Sequence, residues 1–267
     1  MKIIRYQDSS GTTAYAAQQP DGNAFKLEGD IFDAPRVSGM KADVHKLLAP
    51  LPRPVIFCIG LNYRRHAEET GAPIPSFPIV FLKNPAAVQD PGCPIELPTH
   101  LKSNEVDYEC ELAVVIGKQC KNVSRTRALE NVLGYMCAND VSARDWQGKW
   151  GGSQWCRGKT FDTFAPIGPC LVTADEIPNP NTLWIRTVLN GETVQESNTS
   201  DMIFDVPTLI EFLSGSTTLL PGTIILTGTP SGIGAARKPP RFLRAGDTIS
   251  IEIEKIGSLK NPVLDEK

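Results

Sequence analysis

Two carboxylates, Glu109 and Glu111, are separated by one residue in the segment VDYECELAVVIG, residues 106–117. Apolar and polar residues alternate there, which predicts a single strand, and a period of two places both carboxylates on one face. That face then turns apolar, so the pair is expected where the strand meets a pocket. Like charges in a low-dielectric place repel each other, and a bound cation such as Mg²⁺, Mn²⁺ or Ca²⁺ removes the conflict. The alternative is the solvated face of an edge strand.

A third carboxylate, Asp140, ends a second apolar run, LGYMCAND, residues 133–140. A carboxylate at the end of a buried strand is well placed to be a third ligand. Together with Glu109 and Glu111 it would leave open positions on an octahedral ion for water and substrate. Such open positions are typical of a catalytic metal site and not of a closed structural one.

A candidate general base lies in LNYRRHAEETG, residues 61–71. Tyr63 to Glu69 is predicted to form about two helical turns that Gly71 ends. His66 and Glu69 are then i and i+3 neighbours, so the carboxylate can hold the imidazole for polarising a water. A surface helix with an incidental ion pair is the alternative. The proline-rich connector that follows suggests a lid helix that orders when substrate binds.

Two further segments supply polar groups near the chemistry. WGGSQWCRGKTFD, residues 150–162, carries Arg157 and Lys159. A lysine near a metal ion can stabilise an enolate or oxyanion, although surface lysines and arginines are usually solvated. The loop TGTPSGIG, residues 227–234, lacks the Lys-Ser/Thr of a nucleotide-binding loop, so nucleotide binding is rejected. Thr229 and nearby amides could instead hold a carboxylate.

The elements that must position these residues are mostly strands. Residues 1–52 are predicted to be a small β-rich domain, with strands at 2–6, 13–18 and 24–27 and a short helix at 42–48, serving as a scaffold or dimerisation element. Residues 53–267 are predicted to be the catalytic domain, whose helices are few and short. Its clearest local signal is Asn190-Gly191, the dipeptide of a tight hairpin turn. The predicted fold class is therefore α+β, mostly β.

Composition sets the class of partner and the compartment. The 267 residues have 41% hydrophobic and 21% charged content and a net charge of −3, with no basic excess that would predict nucleic acid or an anionic membrane as a partner. Seven cysteines form no CxxC pair, and the N-terminus lacks the apolar core of a signal peptide. Reduced thiols in the cytoplasm are expected, or in the mitochondrial matrix if a transit peptide was removed.

Five stretches together resemble the fumarylacetoacetate hydrolase domain superfamily, in its order and spacing, over roughly residues 52 to 263. They are GLNYRRHAEE, VDYECELAVVIGK, NDVSARDWQ, RGKTFDTFAPIGP and TGTPSGIG. The resemblance is closest to the short members, which include the fumarylacetoacetate-hydrolase-domain-containing proteins and the acylpyruvases. It implies a mixed β-roll or barrel-like sandwich with a small N-terminal domain, a homodimer, and Mg²⁺ or Mn²⁺ at the site, with Ca²⁺ as a further candidate.

The resemblance also carries roles onto residues of this sequence. It implies that Glu109, Glu111 and Asp140 are metal ligands and that His66 and Glu69 are the water-activating pair on the lid helix. It also implies that Lys159 stabilises the enolate. The predicted substrate contacts are Thr229, Gly228, Tyr63 and Arg157. One departure matters. The long fumarylacetoacetate hydrolases carry an additional metal-binding Asp just before the lid tyrosine, where Leu61 and Asn62 stand here. Three protein ligands are therefore expected, and fumarylacetoacetate itself is not the expected substrate.

The first functional hypothesis is a divalent-metal-dependent hydrolase that cleaves the C–C bond of a small 1,3-diketo acid of the acylpyruvate or fumarylpyruvate type. An enolate stabilised by the ion and Lys159 would form on cleavage. The second is an oxaloacetate tautomerase or decarboxylase, or a keto-acid isomerase or dehydratase, that uses the same residues. The third is a non-catalytic ligand-binding module on the same fold. The sequence does not separate the first two, and it gives neither the distal group of the substrate nor the pathway.

Overall fold

The computed structural model describes all residues from Met1 to Lys267, which form three β-sheets and a few short helices. The strands are β1 (Lys2–Gln7), β2 (Thr13–Gln18), β3 (Ala24–Glu28), β4 (Arg36–Lys41), β5 (Lys46–Leu48), β6 (Ile56–Gly60), β7 (Ile79–Lys83), β8 (Val88–Gln89), β9 (Ile95–Leu97), β10 (Val106–Asp107), β11 (Cys110–Ile116), β12 (Val132–Asn139), β13 (Ser142–Ala143), β14 (Ala165–Thr173), β15 (Trp184–Leu189), β16 (Glu192–Asn198), β17 (Ile224–Leu226), β18 (Thr248–Ile253) and β19 (Gly257–Asp265). The expected α+β, mostly β class is confirmed.

The largest sheet has twelve strands in the order β4-β3-β2-β1-β14-β12-β11-β17-β6-β7, with β5 beside β1 and β8 beside β14. A five-stranded sheet runs β16-β15-β18-β19-β9, and β10 pairs with β13 alone. The α-helices are α1 (Arg64–Thr70), α2 (Cys156–Lys159) and α3 (Val206–Ser214). Shorter 3₁₀ segments and one π-helical turn, Asp145–Lys149, complete the chain. None of the helices has the length and apolar character that crossing a bilayer requires.

The core lies on both faces of β11. Leu112 and Val114 point into a cluster of 32 buried residues that also contains Ile251 of the five-stranded sheet. Ala113 and Val115 point into a second cluster of 17 buried residues on the opposite face. The alternation is the period of two of a strand, and burial on both sides explains why almost every residue of β11 is apolar. The carboxylate Glu111 is the exception, so its position in this strand needs a compensating interaction.

The predicted single strand 106–117 is wrong, because the chain breaks at Tyr108 and Glu109 into β10 and β11. The backbone there bonds to side chains instead of a strand ladder. The Tyr108 amide donates to Asp107 Oδ1 at 2.8 Å, and the Glu109 amide donates to Asn139 Oδ1 at 3.0 Å. β10 then pairs with β13, with Asp107 opposite Ser142, so the two halves of the predicted strand belong to different sheets.

The N-terminal segment keeps its three predicted strands, but the predicted helix at 42–48 is wrong. Residues 46–48 form β5 instead, which pairs antiparallel with β1, Arg5 lying opposite Leu48. A helix of under two turns gains few hydrogen bonds for its nucleation cost, whereas the edge of β1 offers a ready backbone partner. β1 also pairs with β14, with Lys2 opposite Val172, so these strands extend the large sheet. A domain division at residue 52 stays a prediction.

Two other local predictions are confirmed. The Asn190-Gly191 turn joins β15 and β16, and both residues have positive φ, 51° and 85°, as a type I′ hairpin turn requires. Helix α1 ends at Gly71, whose left-handed φ of 65° lets its amide cap the carbonyls of Ala67 and Glu68.

Replacement of Leu112 by Ala tests the central position of β11. Leu112 is fully buried, so Leu112→Ala is expected to lower the free energy of unfolding by about 2 to 5 kcal/mol. Equilibrium unfolding in urea measures it. Leu264→Ala, at a leucine with 46% exposure, is the matched control and should change that free energy by about 0.5 kcal/mol or less. Equal losses in the two variants would contradict this account of the core.

Candidate active site

The three predicted ligand carboxylates meet at one place. One oxygen each from Glu109, Glu111 and Asp140 lies within 4.8 Å of the other two, and all three side chains are buried. The antiparallel register explains the meeting. Cys110 at the start of β11 is opposite Asn139 at the end of β12, so the residues next to this pair become neighbours. The Asp140 amide donates to the Glu109 carbonyl at 3.0 Å, which fixes the two backbones directly.

Buried cations surround two of these carboxylates. Lys159 Nζ donates to Glu109 Oε2 and to Asp140 Oδ2, at 2.8 Å each. Arg144 Nη1 lies 2.6 Å from Glu109 Oε1, and Lys83 Nζ lies 2.5 Å from Asp140 Oδ1. Glu109 and Asp140 therefore each pair with two basic side chains, whereas Glu111 pairs with none.

The protonation of the cluster follows from this uneven pairing. Burial favours the neutral form of Glu109, but the charges of Lys159 and Arg144 outweigh it and hold its pKa well below the usual range. Burial, reinforced by the carboxylates of Asp140 and Glu109, raises the pKa of Glu111 well above the usual range. Burial also opposes the charge on Lys159, yet the same two carboxylates raise its pKa above the ordinary value. Lys159 is therefore charged, and Glu111 is the carboxylate of the cluster that lacks a paired positive charge.

These residues fit a divalent cation. The donor set consists of carboxylate oxygens only, which suits a hard ion such as Mg²⁺ or Mn²⁺. Glu111 accepts a hydrogen bond of 2.7 Å from the Gly228 amide but has no cationic partner. An ion shared by the three carboxylates would supply that partner and relieve the repulsion that raises the pKa of Glu111. Glu109, Glu111 and Asp140 are the residues that would hold it.

A cavity of about 360 Å³ opens beside the cluster. Its polar wall carries groups that can bind a keto acid or move a proton: His66, Glu109, Arg144, Gln147, Lys159 and Thr229. Thr229 Oγ1 accepts a hydrogen bond from Gln195 Nε2 at 2.9 Å, which leaves its own hydroxyl hydrogen free to donate. The cavity thus joins the carboxylate cluster, a charged lysine and an imidazole in one space.

Helix α1 carries His66 and Glu69 as predicted, and its role as a lid stays a prediction. His66 Nδ1 and Glu69 Oε2 are 3.3 Å apart, so Nε2 is the ring nitrogen left for the cavity that His66 lines. The Gly232 amide also donates a hydrogen bond to both carboxylate oxygens of Glu69, with distances of 2.9 Å to Oε1 and 3.1 Å to Oε2. One carboxylate therefore orients the imidazole and fastens the lid helix to the loop at 227–234.

The structure places Gly228 behind the carboxylates and not on the cavity wall. Its amide holds Glu111, and its φ of 96° lies in the left-handed region. A Cβ there would come within 2.7 Å of the Asn62 Cβ. Gly228 therefore positions Glu111, and its predicted contact with substrate stays a prediction.

Tyr63 and Arg157 do not line this cavity, and their roles as substrate contacts stay predictions. Tyr63 precedes α1 with extended backbone, and its side chain is fully buried in the larger core cluster. Arg157 is exposed and lies over the Phe161 ring, 4.3 Å from its centroid. In helix α2 it points away from Lys159, because residues two apart in a helix do not share a face.

Three residues of the cluster were missed from sequence. Lys83 ends β7, and its Nζ also donates to the carbonyls of Val141, at 3.0 Å, and of Lys159. Lys83 is a charged residue at the end of an apolar strand, which is the same signal that identified Asp140, so sequence analysis could have found it. Arg144 and Asp107 form an ion pair of 3.0 Å. No local signal marks this pair, because only the pairing of β10 with β13 brings the two together.

Comparison with known proteins gives consistent relatives. A family model described as fumarylacetoacetate (FAA) hydrolase C-terminal matches residues 55–264. The "Oxaloacetate tautomerase fahd2, mitochondrial" of Xenopus laevis is 51% identical over 219 residues, which are 82% of this chain and 68% of the relative. The "Fumarylacetoacetate hydrolase domain-containing protein 2 homolog" of Dictyostelium discoideum is 52% identical over 227 residues, 82% of this chain and 74% of the relative. A solved 2-hydroxyhepta-2,4-diene-1,7-dioate isomerase from Mycobacterium marinum superposes with a TM-score of 0.85 and 39% identity, covering 100% of this chain and 99% of the other.

Replacement of Glu111 by Gln tests the cation site. The amide keeps the shape of the side chain and removes the one carboxylate that has no basic partner. Affinity for Mn²⁺ or Mg²⁺ should fall at least about tenfold, since even the outer partners of metal ligands typically contribute that much. Isothermal titration calorimetry of the purified protein measures it. Glu130→Gln, at an exposed glutamate outside the cluster, should titrate like the unchanged protein. Unaltered binding in Glu111→Gln would exclude Glu111 as a ligand.

Proposed function

This chain belongs to the fumarylacetoacetate hydrolase family, and we propose that it catalyses keto–enol tautomerisation of oxaloacetate in the cavity beside Glu109, Glu111 and Asp140. The observation that carries the proposal is the convergence of those carboxylates with a charged lysine and the lid imidazole. Relatives about half identical to this chain are named oxaloacetate tautomerases, which favours this reaction over the hydrolysis that the sequence first suggested.

Substrate binding would use the polar wall of the cavity. A divalent ion bound by the three carboxylates would supply positive charge to the substrate's carboxylate and keto oxygen and would polarise the carbonyl at C2. Thr229 offers a hydroxyl donor. Arg144 has one guanidinium nitrogen, Nη2, that is buried and without a hydrogen-bond partner, and Arg144 lines the cavity. Together these groups would hold the carboxylates of a small dicarboxylic acid.

The reaction itself moves one proton. In the direction of the enol, the C3–H bond breaks and its electron pair forms the C2–C3 double bond. The C2=O π pair moves onto the oxygen, which gains a proton in place of the one lost from C3. His66 Nε2, with Nδ1 held by Glu69, is the group placed to take the proton from C3. Lys159, kept charged by Asp140 and Glu109, stabilises the negative charge that develops on the oxygen. No oxidant or second substrate is needed.

Hydrolysis of an acylpyruvate is the second candidate, and the His66–Glu69 pair is the observation that favours it. An imidazole oriented by a carboxylate can equally take a proton from water for attack on a distal carbonyl. The enolate left by C–C cleavage would be stabilised by the same Lys159. Pyruvate release distinguishes the reactions, because tautomerisation releases none, whereas decarboxylation of oxaloacetate and hydrolysis of acetylpyruvate both do.

Compartment and assembly are part of the proposal. Several relatives carry "mitochondrial" in their names, so we propose the mitochondrial matrix, in addition to the cytoplasm, as a location of this protein. A homodimer, expected from the family resemblance, is proposed as the working assembly.

Replacement of Lys159 by Met tests the enolate-stabilising role. Loss of one such electrostatic donor typically lowers kcat by about 10² to 10³. The decay of enol oxaloacetate in the presence of Mg²⁺, followed by its absorbance, measures kcat, and a coupled assay follows pyruvate separately. Lys118→Met, at an exposed lysine, is the matched control, and thermal unfolding checks that both variants are folded. A folded Lys159→Met enzyme with undiminished turnover would refute the assignment.

Replacement of Glu69 by Gln tests the lid carboxylate. The amide holds both the His66 ring and the Gly232 amide less strongly, so kcat should fall about tenfold or more, within the range of general base catalysis. Steady-state kinetics with oxaloacetate measures the loss. Glu68→Gln, at the exposed neighbour on the same helix, controls for charge and helix propensity and should retain full activity. If both variants lose activity equally, the effect belongs to the helix and not to the dyad.

A further inference from the structure

The cavity that holds the polar groups also has many apolar lining residues. Half of its sixteen lining residues are hydrophobic, and among them are Phe81, Trp155, Ile59, Ile79 and Leu61. A volume of about 360 Å³ lies in the range of pockets for ligands considerably larger than a four-carbon acid. The proposed oxaloacetate reaction uses the polar wall only, so the apolar wall has no role in it.

Two aromatic rings form a continuous surface that starts at the lysine. The Phe81 ring centroid lies 5.0 Å from Lys159 Nζ, and the Trp155 ring lies 5.6 Å from Phe81 in an edge-to-face arrangement. Gly60 makes the position of Trp155 possible, because a Cβ at Gly60 would come within 2.0 Å of the indole. Trp155 is only partly buried and therefore presents indole surface to the cavity.

The cationic charges that line the cavity are already paired. Its two permanently cationic side chains, Arg144 and Lys159, both contact Glu109. The aliphatic and aromatic lining residues provide no partner for a further carboxylate, and burying one against them without a partner is costly. An apolar group in the same place gains from leaving water, and an aromatic group gains further from edge and face contacts with the two rings.

We propose that the enzyme also tautomerises arylpyruvates, α-keto acids whose C3 carries an aromatic group. The inference rests on the proposed function, because the keto-acid end of such a substrate occupies the same polar wall. The aromatic group lies against Phe81 and Trp155. The chemistry is unchanged: the C3–H bond breaks, the C2–C3 double bond forms, and the C2 oxygen is protonated, with no redox change and no co-reactant.

Phenylpyruvate is the probe. The purified enzyme with Mg²⁺ is expected to accelerate interconversion of its enol and keto forms, followed by the enol absorbance against buffer alone. Phenylpyruvate should also inhibit oxaloacetate tautomerisation competitively, a measurement that needs no variant. If the enzyme turns over oxaloacetate but phenylpyruvate is neither interconverted nor inhibitory, the inference is overturned and the proposed function stands. Absence of turnover with both substrates would overturn the proposed function and the inference with it.

The Trp155→Ala variant tests whether the aromatic group of the substrate binds at a specific site or only has general access to the cavity. The variant should lower kcat/KM for phenylpyruvate about tenfold relative to kcat/KM for oxaloacetate, the low end of discrimination by an apolar pocket. Trp150→Ala, at an exposed tryptophan that does not line the cavity, should leave the ratio of the two values unchanged. An unchanged ratio in folded Trp155→Ala would place the aromatic group elsewhere and refute the inference. If Trp155→Ala does not fold, Phe81→Leu provides the same ratio test.

Discussion

An excess of buried negative charge is the constraint on which the rest of the structure depends. Four carboxylates and two lysines are buried together with the mostly buried Arg144: Asp107, Glu109, Glu111, Asp140, Lys83 and Lys159. Every carboxylate except Glu111 has a basic partner. Burial of an unpaired charge is too costly to be tolerated without protonation or a cation. The raised pKa of Glu111 and the all-oxygen donor set are thus two consequences of the same imbalance.

The sheet produces this concentration of charge by its register. β11 and β12 are buried on both faces and cannot carry charges along their length, so the charged residues gather where the two strands begin and end. The break at Tyr108 and Glu109 turns the chain out of the large sheet into the β10–β13 pair. That pair brings Arg144 beside Glu109 and Asp107. The candidate metal ligands and their counter-charges therefore depend on one change of sheet.

The sequence was sufficient to predict the parts of the site that local pattern controls. The spacing of Glu109 and Glu111, the acid at the end of β12, and the helix of His66 and Glu69 closed by Gly71 all follow from short-range periodicity and capping. Arg144 acquires its role only through pairing between distant segments, which no local pattern records, whereas Lys83 carries the same local signal as Asp140, a charge at the end of an apolar strand. Arg157 and Tyr63 show that residue type alone does not determine placement. Their types suited a binding role, but helical phase turns Arg157 outward and core packing encloses Tyr63. Likewise, residues 46–48 of the helix predicted at 42–48 form a strand, because the edge of β1 was available as a backbone partner.

The loop at 227–234 connects the separate functions of the site. Its Gly228 amide holds Glu111, its Thr229 hydroxyl lies on the cavity wall, and its Gly232 amide holds Glu69 of the lid. Glu69 shares Oε2 between that amide and His66. Movement of α1 away from the loop would therefore break the contact that helps orient the imidazole. The orientation of the proposed base and the position of the one carboxylate in the cluster without a basic partner thus depend on the same backbone segment.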